Sequence, residues 1–229
     1  MNNREERIVQ VAGVIDRREA EMLLEEGVRW LGLPLRLDFH RPDLSEEEAA
    51  VLVRSLPPGV RVVAITYDRT AAGALELCDR LGTRFVQLHG PVDPAELEAL
   101  RRTAPDLFVI KSLVVAPGRE GALAGEIARA APLVDAFLTD TFDPVSGASG
   151  ATGKLHDWTV SRELRELSPR PLILAGGLHP GNVAAAIAAV GPAGVDAHTG
   201  LEGPDGRKER EKVRRFLAEA ERALRETGR

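Results

Sequence analysis

Two glycine-containing segments near the end of the chain have residues suited to binding a phosphate group. Gly176 and Gly177 follow one short apolar run, and Thr199 and Gly200 follow the next. Since glycine has no Cβ, backbone N–H groups at such positions can approach an anion closely. The first pair precedes a helix-start pattern with Pro180 near its first turn. Two neighbouring glycine turns after strands near the C-terminus are typical of the phosphate site of an eightfold β/α barrel.

The elements that must position these glycines alternate between short apolar runs and longer amphipathic segments. The pattern predicts eight strands: Ile8–Val14, Trp30–Leu35, Val60–Thr66, Phe85–Leu88, Leu107–Ser112, Ala136–Thr139, Leu172–Ala175 and Gly194–Asp196. It predicts eight helices: Arg17–Glu26, Ser45–Ser55, Thr70–Leu81, Pro94–Thr103, Gly118–Ala131, Thr159–Leu167, Gly181–Val190 and Lys208–Thr227. This alternation indicates a parallel sheet. No glycine-rich dinucleotide motif follows the first strand. The sequence therefore predicts one α/β domain over residues 1–229, a (β/α)8 TIM barrel.

Local signals agree with this division of the chain. Ser45 and Glu48 have the spacing of a capping box, and Asp93 precedes Pro94 as an N-cap precedes a proline at the first helical position. One segment does not fit a plain connection. The glycine-rich stretch Phe142–His156 is long, and loops of this kind are often functional.

Composition narrows the class of partner. The formal net charge of the 229 residues is −5, and no dense basic block occurs in the first two hundred residues, which argues against nucleic acid and membrane surfaces. The charge-dense C-terminal run is most simply a surface helix, with a nucleic-acid-binding arm as the minor alternative. No apolar run is long enough to cross a membrane, and the charged N-terminus lacks the apolar core of a secretion signal, so we expect a cytoplasmic protein. The single cysteine, Cys78, has no disulfide or metal-site partner, and a buried helix position is its simplest interpretation.

Several motifs, in order, resemble those of the phosphoribosylanthranilate isomerase family of tryptophan biosynthesis. VQLHG at 86–90 resembles the family's QLHG, and LAGGLHPGNV at 174–183 resembles LAGGLNPENV. FLTDT at 137–141, followed by GATGKLHDW at 150–158, resembles a strand ending in LLD and then GGTG and FDW. GVDAHTGLEGPDGRKE at 194–209 and LGLPLRLDFHR at 31–41 match two further segments. The resemblance covers nearly the whole chain.

The resemblance implies a barrel enzyme without a cofactor or metal that acts on a phosphorylated small molecule, as a monomer or homodimer. The family reaction is an Amadori rearrangement of an N-glycoside. A general acid opens the furanose ring and gives an imine, and a general base then removes the proton from the second sugar carbon. Acid and base must face each other across the sugar, so they come from different strand ends.

The resemblance also assigns site residues. Asp140 matches the general acid, and Arg41 matches the arginine that would hold the anthranilate carboxylate by a two-pronged contact. Gln87 and His89 of the QLHG motif and Gly153 of the GATGK segment match substrate-binding positions. The phosphate-binding positions are Gly176, Gly177, Thr199 and Gly200.

The first strand departs from the family. The family begins with KICGIT, whose cysteine is the general base, and the cysteine is here Ala12. Alanine carries no titratable group and cannot take a proton. The family's lysine is Gln10, which removes a positive charge from the site floor, and its threonine is Ile15. Cys78 lies in a helix of the outer ring and cannot easily compensate.

A substitute base would therefore have to come from elsewhere. His198 stands where the family has serine near the phosphate; it could bind phosphate, act as a base, or be a polar strand-end residue with no chemical role. Asp38 is a second candidate, and Lys111, expected inside the barrel mouth, is a remote candidate for a Schiff base. We therefore predict an isomerase of this type with Asp140 and His198 as catalytic residues. The alternatives are a diverged barrel acting on another phosphorylated small molecule and a non-catalytic binder of a phosphorylated ligand.

Overall fold

Eight parallel strands close into a barrel in the computed structural model, which describes residues 7–37, 42–116, 118–141 and 158–227. The strands are β1 (Ile8–Ala12), β2 (Trp30–Leu35), β3 (Arg61–Thr66), β4 (Phe85–Leu88), β5 (Phe108–Val115), β6 (Ala136–Thr141), β7 (Leu172–Leu174) and β8 (Gly194–Ala197). The helices are α1 (Arg17–Glu25), α2 (Glu46–Ser55), α3 (Ala71–Leu81), α4 (Pro94–Thr103), α5 (Glu120–Ala130), α6 (Trp158–Leu167), α7 (Val183–Val190) and α8 (Arg210–Thr227). Each strand pairs with its chain neighbours, and β1 pairs with β8. The predicted (β/α)8 TIM barrel is confirmed.

Side chains alternate along each strand between the barrel interior and the layer beneath the helices. In β1, Val9 and Val11 pack in the outer layer, whereas Ile8 and Ala12 belong to the interior cluster. The same alternation identifies the inward-facing residue at the carboxyl end of every strand. A side chain that could do chemistry must stand at one of these inward positions or in the loop that follows it.

Aromatic side chains fill the amino end of the barrel. Trp30 and Phe85 make an edge-to-face contact with ring centroids 5.3 Å apart, and Trp30 and Phe108 make another at 5.8 Å. The guanidinium of Arg61 lies over the Trp30 ring, 5.2 Å from its centroid. Each of these four residues is the first residue of its strand. The packing closes one end of the barrel and leaves the carboxyl end for a ligand.

Element boundaries differ from the prediction at strand ends. β1 ends at Ala12 because Gly13 turns the chain with a φ of +73°. β5 extends to Val115 and β6 to Thr141, because register pairs continue between the two strands up to those residues. Helix α7 begins only at Val183, so Pro180 lies in the turn before the helix and not in its first turn.

Both predicted helix starts are confirmed. The Ser45 side chain accepts a hydrogen bond from the Glu48 N–H, and the Glu48 side chain accepts one from the Ser45 N–H. Asp93 accepts from the Ala95 N–H, with Pro94 as the first residue of α4. These contacts satisfy N–H groups that a helix leaves free at its amino end.

The remaining outer-layer predictions are also met. Cys78 is buried on α3, and burial raises the pKa of its thiol to about 12, so it is not a reactive nucleophile. Helix α8 buries Phe216, Ala220 and Leu224 against the barrel, as expected for an amphipathic surface helix. Among the helices of the described residues, none has the length and apolar character needed to cross a membrane.

Candidate active site

The carboxyl end of the barrel brings Asp140 into the electrostatic field of two histidines. Asp140 is inward-facing by the alternation along β6, and it is 7% exposed. The backbone N–H of Thr141 donates a hydrogen bond to Asp140 Oδ1 at 2.7 Å. Burial raises the pKa of Asp140, while His89, this hydrogen bond and His198 act in the opposite direction. A buried carboxyl group with a raised pKa can hold a proton for general acid catalysis.

A chain of polar side chains crosses the barrel beneath this mouth. Gln10 Nε2 donates to Gln87 Oε1 at 3.1 Å, and Gln87 Nε2 donates to Ser112 Oγ at 3.1 Å. Ser112 Oγ lies 3.1 Å from His89 Nδ1, and the His89 ring lies 4.8 Å from the Tyr67 ring, centroid to centroid. Gln10 is fully buried inside the barrel. The chain fixes the orientation of His89, with Gln87 beneath it as a support.

Asp196 lies beside Gln10 in this buried layer. Gln10 and Asp196 are register partners of β1 and β8. Gln10 Oε1 and Asp196 Oδ1 are both buried and have no hydrogen-bond partner among the residues that the structure describes. Burial raises the pKa of Asp196 to about 7, with a contribution from Asp140, against the opposing effects of Gln10 and Lys208. The carboxyl group of Asp140 at the mouth and that of Asp196 in the layer beneath it therefore interact.

His198 stands next to the position that lacks the family's base. Val11 pairs with Ala197, so the register places His198 beside Ala12, directly after β8. The imidazole lies on the backbone of Gly13, where a Cβ would collide with it. His198 Nε2 is 3.2 Å from Glu202 Oε1.

Glu202 in turn contacts a buried lysine. Lys208 Nζ lies 2.8 Å from the same Glu202 oxygen and donates to the Gly13 carbonyl at 3.1 Å. Burial opposes ionisation of Glu202, but hydrogen bonds from His198 and Lys208 overcome it and lower its pKa to about 2. Glu202 is therefore an anion at neutral pH.

The two glycine turns lie against each other, as their proposed joint role requires. Gly176 and Gly177 have φ values of +95° and +64°, which residues other than glycine rarely adopt. Gly200 lies in a short 3-10 helix, Thr199–Leu201, and a Cβ there would collide with the Leu178 carbonyl. The positive φ values explain glycine at positions 176 and 177, and the close contact with Leu178 explains glycine at position 200.

Some predicted site residues lie elsewhere. Lys111 was expected inside the mouth, and this expectation is wrong. Its side chain lies on the outer face of β5, where Nζ is 3.1 Å from Glu126 and donates to the Ser112 carbonyl at 2.7 Å. Alternation explains the difference, because Ile110 faces the interior and the next residue must face the helices. Arg41, Gly153 and Asp38 lie outside the described residues.

Three residues of the site were not identified from the sequence. Ser112 links Gln87 to His89 across two strands, and no local pattern marks it. Asp196 ends the eighth predicted strand, and a carboxyl group at the carboxyl end of a barrel strand could have been identified as a candidate. Glu202 follows His198 by four positions, a spacing that one turn of 3-10 helix brings together. Among the described residues there is no cluster of potential metal ligands.

The comparisons with known proteins agree with this geometry. The family model described as N-(5'phosphoribosyl)anthranilate (PRA) isomerase matches residues 33–219. The N-(5'-phosphoribosyl)anthranilate isomerase of Methanothrix thermoacetophila is 37% identical over 91% of this chain and 95% of its own length. The enzyme of the same name from Geobacter sp. is 35% identical over 93% and 98%.

Solved structures give the same result. Phosphoribosyl anthranilate isomerase from Thermotoga maritima superposes with a TM-score of 0.76 at 29% identity, over 94% of this chain and 99% of its own. A second structure, with a TM-score of 0.74 at 27% identity over 94% and 99%, holds reduced 1-(o-carboxyphenylamino)-1-deoxyribulose 5-phosphate. The extent of these matches, together with the barrel and its mouth, shows that the chain belongs to the N-(5'-phosphoribosyl)anthranilate isomerase family.

Proposed function

We propose that this protein isomerises N-(5'-phosphoribosyl)anthranilate to the corresponding aminoketose, with Asp140 as general acid and His198 as general base. The observation that carries the proposal is Asp140, a buried inward carboxyl group in the field of His89 and His198 at the mouth of the barrel. The relative solved with a reduced carboxyphenylamino-deoxyribulose phosphate supports a ligand of this class.

Ring opening would begin at Asp140. The protonated carboxyl group gives its proton to the furanose oxygen, the bond between that oxygen and C1 breaks, and the nitrogen lone pair forms an iminium ion. The carboxylate that remains accepts the Thr141 N–H and lies near His89 and His198. The Thr141 N–H stabilises the charge at the moment when it develops.

Proton removal follows on the other side of the sugar. His198 takes the proton from C2, the C–H electron pair forms a C1=C2 bond, and the iminium nitrogen recovers its lone pair. Transfer of a proton to C1, with loss of the proton from the C2 hydroxyl group and formation of the C2=O bond, then gives the ketone. Ala12, the register neighbour of His198, leaves the space in which the family's cysteine would stand. The sequence of steps uses no cofactor.

The phosphate would bind at the glycine turns of Gly176, Gly177, Thr199 and Gly200. Arg41, Gly153 and Gln87 stay predicted substrate-binding residues, with Gln87 acting through His89. We expect a monomer or a homodimer, and the Thermotoga maritima relative is described as dimeric. The expected cytoplasmic location likewise stays a prediction.

The test is the loss of anthranilate-type fluorescence when the purified protein meets phosphoribosylanthranilate generated in the cuvette. We expect turnover by the natural sequence and a fall in kcat of about 100-fold or more in Asp140→Asn, the range of general acid catalysis. Asp79→Asn, an exposed aspartate on α3, is the matched control and should keep full activity.

Absence of turnover in the natural sequence would contradict the proposed reaction. If activity then appeared in the Ala12→Cys/Gln10→Lys variant, the barrel would be an intact scaffold for another phosphorylated ligand. An Asp140→Asn variant as active as the natural protein would remove Asp140 from the mechanism.

A further inference from the structure

We propose that Glu202 is a positioning residue that holds His198 as the Nε2–H tautomer and makes Nδ1 the basic nitrogen. This inference rests on the proposed function and assigns a role to a residue outside the mouth. Its basis is the line of contacts from Lys208 through Glu202 to His198 and onto Gly13.

The charge of Glu202 decides which nitrogen of His198 carries the proton. A carboxylate can only accept hydrogen bonds, so the ring nitrogen 3.2 Å from Glu202 Oε1 must donate. Nε2 therefore carries hydrogen in the neutral imidazole, and Nδ1 keeps its lone pair. The ring atoms nearest to the point where a Gly13 Cβ would stand are Nε2, Cδ2 and Cε1, so Nδ1 lies farther from that point. Nδ1 is thus the atom available to a substrate.

Lys208 keeps Glu202 in its ionised form. The Lys208 side chain is fully buried, and its ammonium group lies between Glu202 Oε1 and the Gly13 carbonyl. A buried lysine without a counter-charge is strongly unfavourable, so the lysine and the carboxylate stabilise each other. Glu202 therefore does not take the proton from His198; it stabilises the imidazolium that forms when Nδ1 accepts a proton from C2.

The loop between β1 and α1 completes the support. Glu19 accepts hydrogen bonds from the Ile15 N–H at 3.1 Å and from the Lys208 N–H at 2.7 Å, so one side chain joins both loops. Gly13 leaves the space that the imidazole occupies, since any Cβ there would displace His198. His198 is consequently held between Gly13 and Glu202, beside the alanine that replaced the family's base.

The decisive experiment is a double-mutant cycle between Glu202→Gln and Ala12→Cys, because a thiol at position 12 offers a base that does not depend on His198. Glutamine keeps an oxygen for Lys208 but loses the charge. We expect Glu202→Gln to lower kcat about 10-fold or more with KM changed less than about 2-fold. In the Ala12→Cys background the same substitution should change kcat less than about 2-fold. Glu209→Gln, an exposed glutamate in the same loop that pairs with Lys212, is the matched control.

A further readout separates positioning from a merely structural role. NMR spectra of protein labelled with ¹⁵N-histidine should show the Nε2–H tautomer for His198. This readout does not depend on whether Ala12→Cys supplies an effective base.

The outcomes are distinguishable. An inactive natural protein contradicts the proposed isomerase, and the tautomer then decides the present inference alone. An active protein with unchanged kcat in Glu202→Gln, an Nδ1–H tautomer, or an equal loss in both backgrounds contradicts the inference and leaves the isomerase standing. A His198→Ala variant that raises KM without lowering kcat would make His198 a phosphate ligand and would also overturn it.

Discussion

The exchange of a lysine for Gln10 changes the charge balance of the barrel floor. Asp196 now faces an amide, and both Asp196 Oδ1 and Gln10 Oε1 are acceptors without a donor among the described residues. A proton on the Asp196 carboxyl group would remove the cost of burying a charge at this oxygen. Burial, which raises the pKa of Asp196 to about 7, agrees with a protonated carboxyl group below neutral pH.

This proton predicts a pH dependence of stability. A carboxyl group whose pKa is higher in the folded than in the unfolded protein stabilises the fold fully below its unfolded pKa and loses this contribution as the pH rises through about 7. We therefore expect the free energy of unfolding to fall between about pH 4 and pH 8 in the natural protein. In Asp196→Asn the fall should be smaller, because the amide cannot ionise. Urea denaturation at several pH values measures the free energy of unfolding, and Asp79→Asn, at an exposed position, is the control. If the free energy of unfolding fell equally with pH in the natural protein, Asp196→Asn and Asp79→Asn, the pH dependence would not come from Asp196.

The pair of loops after β7 and β8 forms a unit in which backbone approaches backbone. Gly200 is packed so closely on the Leu178 carbonyl that a side chain at position 200 would push the two turns apart. Gly200→Ala should therefore separate the loops and weaken binding of inorganic phosphate or a phosphorylated product by about 10-fold or more, since the N–H groups no longer converge. Isothermal titration calorimetry measures the affinity.

Gly121→Ala on α5 is the control for this substitution. Nothing lies within reach of a Cβ there, and alanine in a helix is favoured over glycine by about 0.5–1 kcal/mol. The control should bind phosphate like the natural protein. If Gly200→Ala bound phosphate equally well, the glycine turns would serve only chain geometry.

The order and type of these elements could be predicted from the sequence, because buried strands and amphipathic helices have different apolar periods. All eight strands and eight helices lie where they were predicted, and Ser45 and Asp93 begin their helices as expected. Strand ends could not be predicted as well. Whether β6 continues to Thr141 depends on its pairing with β5, and a single sequence carries no signal for that register.

The direction of the side chains at the strand ends also could not be predicted from the sequence. Lys111 was predicted in the mouth from its position at the end of a strand, but one residue of register separates the interior from the helix layer. Asp140 and His198 fall on inward positions. That they lie near each other follows only from closure of the barrel, which brings β6 and β8 to the same mouth. The contact of Glu202 with Lys208 joins residues on either side of a turn whose shape the sequence does not specify.

Taken as one molecule, the barrel separates the residues that stabilise it from those that we propose for chemistry. Trp30, Phe85 and Phe108 fill the amino end, and Arg7 Nε donates to the Leu224 carbonyl at 3.1 Å, which fastens helix α8 to the start of β1. Asp140, His89 and His198 stand at the opposite end. In barrels of this type, residues at the amino end stabilise the fold and those at the carboxyl end carry activity.

Trp30→Ala tests this separation. Removing the indole from the packed rings should lower the free energy of unfolding by about 3–5 kcal/mol, the usual cost of a cavity of this size. KM and kcat should change less than about 2-fold where the variant is folded, because Trp30 lies at the end remote from Asp140. Urea denaturation followed by circular dichroism gives the first quantity, and the fluorescence assay gives the second. Leu167→Ala, an exposed leucine on α6, is the control and should change neither. A folded Trp30→Ala protein with a large loss of kcat would mean that packing at the amino end positions the mouth.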